Sequence, residues 1–281
     1  MKHILLINDV VGYGNVGMVA MMPILTYMGH STYNLPTSLV SNTLDYGRFN
    51  IMETTDYIRG TMSVWEQLNF QFDAVCTGLM FSEEQAKLVS SYCRFLREKS
   101  TMVIVDPIMG DAGRLYNGID RHQVDLMREM VSIADLICPN FTEACYLTDT
   151  AYESNGFSWS EACTMLDRLA EIGARNVIVT SAKVDGHSCV VGRHSDVWQG
   201  DSLQGDCKDK YFKINYEEIP VLFHGTGDIF SAVLVGHIMN GQSLYRSTQT
   251  AMDVVSQLID RNRNMNDKCL GIPIEKCLDL L

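Results

Sequence analysis

Residues 223–241 read FHGTGDIFSAVLVGHIMNG, and this stretch decides between two α/β folds that the rest of the chain would permit. Gly225, Thr226 and Gly227 precede an apolar run of helical length, so their backbone N–H groups can converge with a helix N-terminus on an anion without any basic side chain. Asp228 falls in the first turn of that helix. In isolation an acid there serves as a partner of the helix dipole. Beside an anion hole it can do more, accepting a proton from a hydroxyl while the amides hold the charge of a transferring phosphoryl group.

Outward from this stretch, short β-rich runs alternate with helical patterns. The runs are HILLI (3–7), STYNL (31–35), DAVCT (73–77), TMVIVD (101–106), ADLICPN (134–140) and NVIVTS (176–181). Helical patterns lie between them, among them Val16 to Met28 and a region near Thr54 to Asn69. This alternation predicts a three-layer α/β/α architecture around a mostly parallel sheet. Ser82 with Gln85 and Ser158 with Glu161 have the spacing of helix capping boxes. From Ser188 to Ile219 the texture becomes that of antiparallel strands joined by a polar loop around Gly200 to Asp209, an antiparallel edge on the parallel sheet. No repeat or linker divides the chain, so a single domain over 1–281 is expected.

The rival fold is suggested by GYGNVG (12–17), which matches the dinucleotide pattern G-x-G-x-x-G. Two features oppose it. A dinucleotide site needs an acid about 20 positions after the glycines, whereas the second run ends YNLPTS with no acid before Asp45. The four residues NDVV also separate Ile7 from the first glycine, where the fingerprint wants the turn directly behind the strand. The glycines then read as a tight loop and helix start.

Composition narrows the partners. Thirty-four acidic against twenty-two basic residues give a formal charge of −12, which opposes a nucleic-acid or anionic-membrane partner. The N-terminal apolar run is broken by Asn8 and Asp9 and fails as a signal peptide. Nine cysteines lack any Cys-x-x-Cys spacing, which suits reduced thiols and a cytoplasmic protein.

Polar residues end each expected strand: Asn8-Asp9, Pro36-Thr37, Thr77-Gly78, Asp106-Pro107, Pro139-Asn140 and Thr180-Ser181. In open α/β sheets ligands sit beyond the carboxyl ends of the strands, so these pairs line the expected site. Asp106, with Asp111 in the following glycine-containing loop, and Asn140 with Glu143 offer hard oxygen ligands of the kind that suit Mg²⁺ held through water and phosphate. Asn140 and Glu143 have an equally good structural reading, as the two halves of a capping box. Thr180 and Ser181 present hydroxyls to a nucleotide's phosphates, and Lys183 reads as a solvated loop charge.

The segments DPIMGDAGRLY (106–116), CPNFTEA (138–144), VIVTS (177–181) and GTGD (225–228), in this order and spacing, resemble the ribokinase-like superfamily. VVGYGNVG (10–17) and SNTLDYG (41–47) extend the resemblance to its pyridoxal (vitamin B6) kinase branch and to nearly the whole chain. The resemblance implies transfer of the γ-phosphoryl of ATP, with Mg²⁺, to the 5′-hydroxymethyl group of pyridoxal, pyridoxine or pyridoxamine in the salvage of pyridoxal 5′-phosphate. It makes Asp228 the base and Gly225, Thr226 and Gly227 the anion hole. It assigns Asp106, Asn140, Glu143, Thr180 and Ser181 to ATP, Asp106, Glu143 and Asp111 to Mg²⁺, and Asp9, Val16, Val40 and Asp228 to the vitamer. Adenine would lie against a strand region from Pro220 to Phe223 and the helix near Ala251 to Val255, and a homodimer is implied.

The chain departs from the branch in the substrate half. Asp9 stands where a serine is usual, Thr43-Leu44 where His-Thr is common, and Leu79 where an aromatic often sits. A carboxylate at Asp9 would favour pyridoxamine or a protonated pyridine nitrogen. The nearest rival kinase is one for hydroxymethylpyrimidine. A ribokinase-type sugar kinase would need a β lid for which STYNL to Thr54 leaves no room. The rival from another class is a silent vitamer-binding homologue.

Overall fold

The computed structural model describes residues 1–116, 119–195 and 210–281. In chain order the elements are β1 (His3–Val11), α1 (Met18–Tyr27), β2 (Ser31–Val40), β3 (Ile51–Glu53), α2 (Thr55–Gln67), β4 (Ala74–Thr77), α3 (Glu83–Glu98) and β5 (Met102–Val105). There follow β6 (Gly110–Asp111), β7 (Arg114–Leu115), α4 (Arg121–Val131), β8 (Leu136–Ile137), α5 (Phe141–Leu147), α6 (Trp159–Ile172) and β9 (Asn176–Val184). The chain ends with β10 (His187–Arg193), β11 (Tyr211–Asn215), α7 (Thr226–Met239) and α8 (Leu244–Asn262). These form two compact units, each discontinuous in sequence.

The first unit comprises Met1–Phe81, Lys99–Thr101 and Ile219–Leu281. Its strands run β4-β1-β2-β3, parallel except for β3. Ile4, Leu5, Leu6 and Ile7 of β1 have no exposed surface, as expected of a parallel strand covered on both faces. β1 continues through Asn8 and Asp9 to Val11, and β2 continues through Pro36 to Val40. Their register slips between Asn8 and Val10, where Asn8 opposes Pro36 but Val10 opposes Leu39. A bulge of this kind interrupts the ladder, which is how a strand tolerates a proline beside its neighbour. The expectation that both strands stop at those polar pairs is therefore corrected, as it is for Thr180-Ser181, which lie inside β9.

α7 is apolar on nearly every side, with Ile229, Phe230, Ala232, Val233, Leu234 and Val235 all buried. Such a helix belongs in a core. α1 lies so close to it that a Cβ at Gly236 would come within 2.3 Å of Met28 Sδ. His30 Nε2 sits 3.1 Å from the Gly236 carbonyl oxygen. Residues 220–223, expected as a strand, form an irregular segment leading to α7, although Phe223 is only 2% exposed. The interval between STYNL and Thr54 holds the extension of β2, a short 3-10 turn and the three-residue β3.

The second unit comprises Ser82–Glu98 and Met102–Glu218. β5, β8 and β9 pair in parallel, and β10 and β11 add to β9 in antiparallel fashion, which is the expected antiparallel edge. The polar loop expected around Gly200 to Asp209 falls outside the described residues. Ser158 and Glu161 form the full reciprocal capping box of α6, and the Ser82 hydroxyl accepts the Gln85 N–H at 3.3 Å at the start of α3. The β6–β7 hairpin, with two residues per strand, lacked a sequence signal, whereas the capping-box spacings at Asn140 and Ser158 mark the starts of α5 and α6.

Candidate active site

In the first unit the site is built around Asp228. Gly225 caps α7 in the left-handed conformation, φ +80°, and a Cβ there would approach Asn15 O and Val16 Cγ1 to 2.8 Å. Only glycine lets the turn lie this close to the β1–α1 loop. The first amides of a helix have no intrahelical acceptor, and Gly227 opens onto free space, since an added Cβ would meet nothing within 4 Å. Thr226 and Gly227 lie in the first turn of α7, where backbone amides lack intrahelical acceptors.

The Asp228 carboxylate turns inward. Gly17 N–H donates to Oδ2 at 2.8 Å and Asn8 Nδ2 donates to Oδ1 at 3.2 Å. Burial raises the Asp228 carboxyl above its ordinary range, and the Gly17 and Asn8 hydrogen bonds pull against that rise. The result is a carboxylate oriented at both oxygens, each with lone pairs left to take a proton. This division of labour gives GYGNVG its part: its last amide holds the acid that the sequence singles out.

Asp9 is 8% exposed. Burial first, and then the Asp228 charge, push its carboxyl from 3.8 to about 7. Gly17 separates the two acids: a Cβ on it would sit 2.7 Å from Asp9 Oδ1, and its φ is +59°. We expect Gly17→Ala to cost about 1–3 kcal/mol for a backbone at φ +59°, ψ −141° that is populated almost only by glycine, with a further loss from the clash. Denaturant unfolding and turnover should fall together, whereas wild-type values of both would show that this loop is not constrained.

The remaining residues that the resemblance assigns to the vitamer, or marks as departures from the branch, also belong to the first unit. Val16 lies against the Gly225 turn. Val40 is 3% exposed, and its carbonyl accepts the Gly12 N–H at 2.8 Å. Thr43 is 5% exposed with its hydroxyl buried and unpartnered, while Leu44 is 39% exposed. Leu79 N–H donates to Asn8 Oδ1 at 3.0 Å. In α8, Ala251, Met252 and Val254 are buried.

In the second unit the capping reading of Asn140 and Glu143 is realised. Glu143 N–H donates to Asn140 Oδ1 at 3.0 Å, and Asn140 N–H donates to Glu143 Oε2 at 2.8 Å. Met109 N–H adds a 2.9 Å bond to Glu143 Oε1, and Asn140 Nδ2 donates to Gly110 O at 2.8 Å. Glu143, 2% exposed, is raised well above the ordinary carboxylate range by burial and then by the Asp106 charge. The pair therefore fastens the 109–110 backbone to α5, and the Asp106 charge is close enough to act on Glu143. Hard oxygens in mutual repulsion are the donor chemistry a divalent cation relieves. Among the described residues no group of three or more His, Cys, Asp or Glu could hold a metal ion.

Asp111 is exposed in the hairpin, its carboxylate accepting the Ala112 N–H at 2.7 Å. Asn140 bridges to Thr180, whose N–H donates to Pro139 O at 3.0 Å, so those two are brought side by side. Ser181 follows with φ +53°, and its side chain hydrogen-bonds Tyr216. Lys183 belongs to β9 and not to a loop.

No local sequence pattern assigns a role to Asn8 or Gly17. The signal for Gly17 was its place as the last glycine of the pattern. For Asn8 only its position at a strand end pointed to the site.

The comparisons define the class first. The family model described as phosphomethylpyrimidine kinase matches residues 17–272, and the chain belongs to that family. It is a phosphotransferase acting on an alcohol, of the ribokinase-like α/β class. Among curated proteins, the pyridoxine/pyridoxal/pyridoxamine kinase of Bordetella avium is 27% identical over 281 residues, covering 95% of this chain and 88% of its own. A phosphomethylpyrimidine kinase-like protein of Bacteroides thetaiotaomicron, crystallised with pyridoxal, is 32% identical with a TM-score of 0.89 over 99% of this chain and 95% of its own. The Entamoeba histolytica pyridoxal kinase is 25% identical with a TM-score of 0.85, over 99% and 95%. No helix among the described residues is long and apolar enough to cross a membrane.

Proposed function

We infer that this chain phosphorylates the 5′-hydroxymethyl group of a B6 vitamer with ATP, in the salvage of pyridoxal 5′-phosphate. The observation that carries the reading is the Asp228 carboxylate, fixed at both oxygens by Gly17 and Asn8 on the same helical turn as Thr226 and Gly227. The vitamer hydroxyl oxygen forms its bond to the γ-phosphorus as the bond to the β,γ-bridging oxygen breaks. The hydroxyl proton passes to Asp228 and ADP leaves. The Thr226 and Gly227 amides hold the charge on the transferring group, a role in which one donor is worth about 10²–10³-fold in rate.

Asp106, Asn140, Glu143, Thr180 and Ser181 are assigned to ATP in this reading, with Mg²⁺ held beside Asp106 and Glu143 mainly through phosphate and water; the three-carboxylate set that adds the exposed Asp111 is not gathered into a metal site. Mg²⁺ supplies neutralisation of phosphate charge. The repulsion between Asp106 and Glu143 supports a cation there. Adenine would take the Pro220–Phe223 segment and the Ala251–Val255 stretch of α8. The reading treats 1–281 as one cytoplasmic kinase domain working as a homodimer, and the eight described cysteines, none in a disulfide, are compatible with that compartment.

The pyridoxal kinase reading is supported by the Bordetella relative and by the pyridoxal complex of the Bacteroides neighbour. The family model's own description favours a second reading, hydroxymethylpyrimidine as acceptor. Rates with Mg²⁺-ATP on pyridoxal, pyridoxine, pyridoxamine and hydroxymethylpyrimidine separate them. Highest kcat/KM on a vitamer is expected; highest kcat/KM on the pyrimidine overturns the assignment. No turnover on any of the four would leave the silent binding homologue.

A further inference from the structure

Asn8 is 3% exposed at the slip in register between β1 and β2, and its side chain is committed on both faces. Oδ1 accepts the N–H of Asp9 at 3.0 Å and that of Leu79 at 3.0 Å. Because both partners are backbone donors, the amide orientation is determined, and Nδ2 must point the other way. There it donates to Asp228 Oδ1 at 3.2 Å, with Met21 Sδ at 3.8 Å. Residues 78–79 are pressed against it, since a Cβ at Gly78 would come within 2.2 Å of Asn8 Oδ1. The backbone just beyond β4 therefore locks an amide that in turn holds one oxygen of the acid. The other oxygen is held by Gly17 N–H, which no side-chain substitution removes.

We propose that Asn8 is a positioning residue for phosphoryl transfer: through its donor face it sets the direction of the Asp228 carboxylate, and through its acceptor face it ties that direction to the backbone at Leu79. This rests on Asp228 being the base. Asn8 acts on the substrate only through the Asp228 carboxylate it holds, so its loss acts on turnover and not on affinity. A hydrogen bond to a charged group of this kind corresponds to about 10- to 100-fold.

Asn8→Asp separates positioning from mere packing, because it keeps the shape and an acceptor for both the Asp9 and Leu79 amides while removing the donor. Asn8→Leu removes donor and acceptor together. With pyridoxal and Mg²⁺-ATP, kcat of Asn8→Asp is expected to fall at least tenfold at pH 7, with both KM values within threefold of wild type. The acid limb of its kcat–pH profile should move to higher pH, because a second carboxylate then faces Asp228; Asp9, the other titratable group facing it, is left intact. A purely structural role leaves kcat and the limb of Asn8→Asp at wild-type values, and that result overturns the proposal. If Asn8→Asp does not give a cooperative thermal transition, the kcat–KM split of folded Asn8→Leu decides in its place: unchanged kcat overturns the proposal, and a selective loss of kcat supports it. Asp228→Asn run in parallel keeps the two levels apart. Should it retain wild-type turnover, the base assignment falls; should it be inactive while the Asn8 variants turn over normally, only the role of Asn8 falls.

Discussion

Asp228→Asn is expected to lower kcat by about 10²–10⁴-fold, the usual worth of a general base, while pyridoxal and ATP still bind. The substitution is nearly isosteric, but its single amide oxygen can keep only one of the Asn8 and Gly17 bonds, made at 3.2 and 2.8 Å to different oxygens of Asp228, so an unchanged cooperative thermal transition is required beside the loss of kcat to show that the loss reports chemistry. Because burial raises the Asp228 carboxyl, the acid limb of the wild-type profile should lie above that of an ordinary carboxylate. Activity falls as pH drops through that raised value, since only the ionised form takes the proton. Turnover within threefold of wild type, or vitamer binding lost along with turnover, contradicts the role.

The second large effect is expected at Asp9, where the chain carries an acid in place of the usual serine. Replacing it by serine should shift the pyridoxamine-to-pyridoxal ratio of kcat/KM about tenfold toward pyridoxal, the scale of one hydrogen bond to a charged group. The same variant should change the pH dependence of stability. Asp9 has a native value of about 7 against 3.8, so the native state binds its proton more tightly than the unfolded state. Its stabilising contribution is therefore complete below about pH 4 and is lost as pH rises to about 7. The span corresponds to about 4 kcal/mol. Asp9→Ser lacks that loss, and its Tm relative to wild type should climb between pH 5 and pH 8. A Tm difference that stays flat with pH, together with an unchanged vitamer ratio, would leave Asp9 no part in either effect.

The parts of the site that the sequence disclosed are those built from local backbone. Gly225-Thr226-Gly227-Asp228 could be read because an anion hole at a helix start needs nothing beyond four consecutive residues and the apolar run behind them. Asn140 and Glu143 could be read because a capping box is a fixed spacing, though the spacing does not say whether the carboxylate serves the helix or a cation. The grip of Asn8 on Asp228 spans 220 positions, and no local pattern encodes it. Pro36 suggested a strand end, yet β2 continues because the register slip beside Asn8 absorbs the missing donor. The two-residue β6 and β7 and the three-residue β3 are too short to show any period-two pattern.

Phosphoryl transfer to the vitamer is read from the product of a single reaction: pyridoxal with Mg²⁺-ATP, the position of phosphate given by phosphorus–proton coupling and ADP counted against it. One ADP for each pyridoxal 5′-phosphate, in wild type and not in Asp228→Asn, is the expected result. ADP released at the same rate without vitamer, or pyridoxal bound but never phosphorylated at the 5′ oxygen, would contradict it.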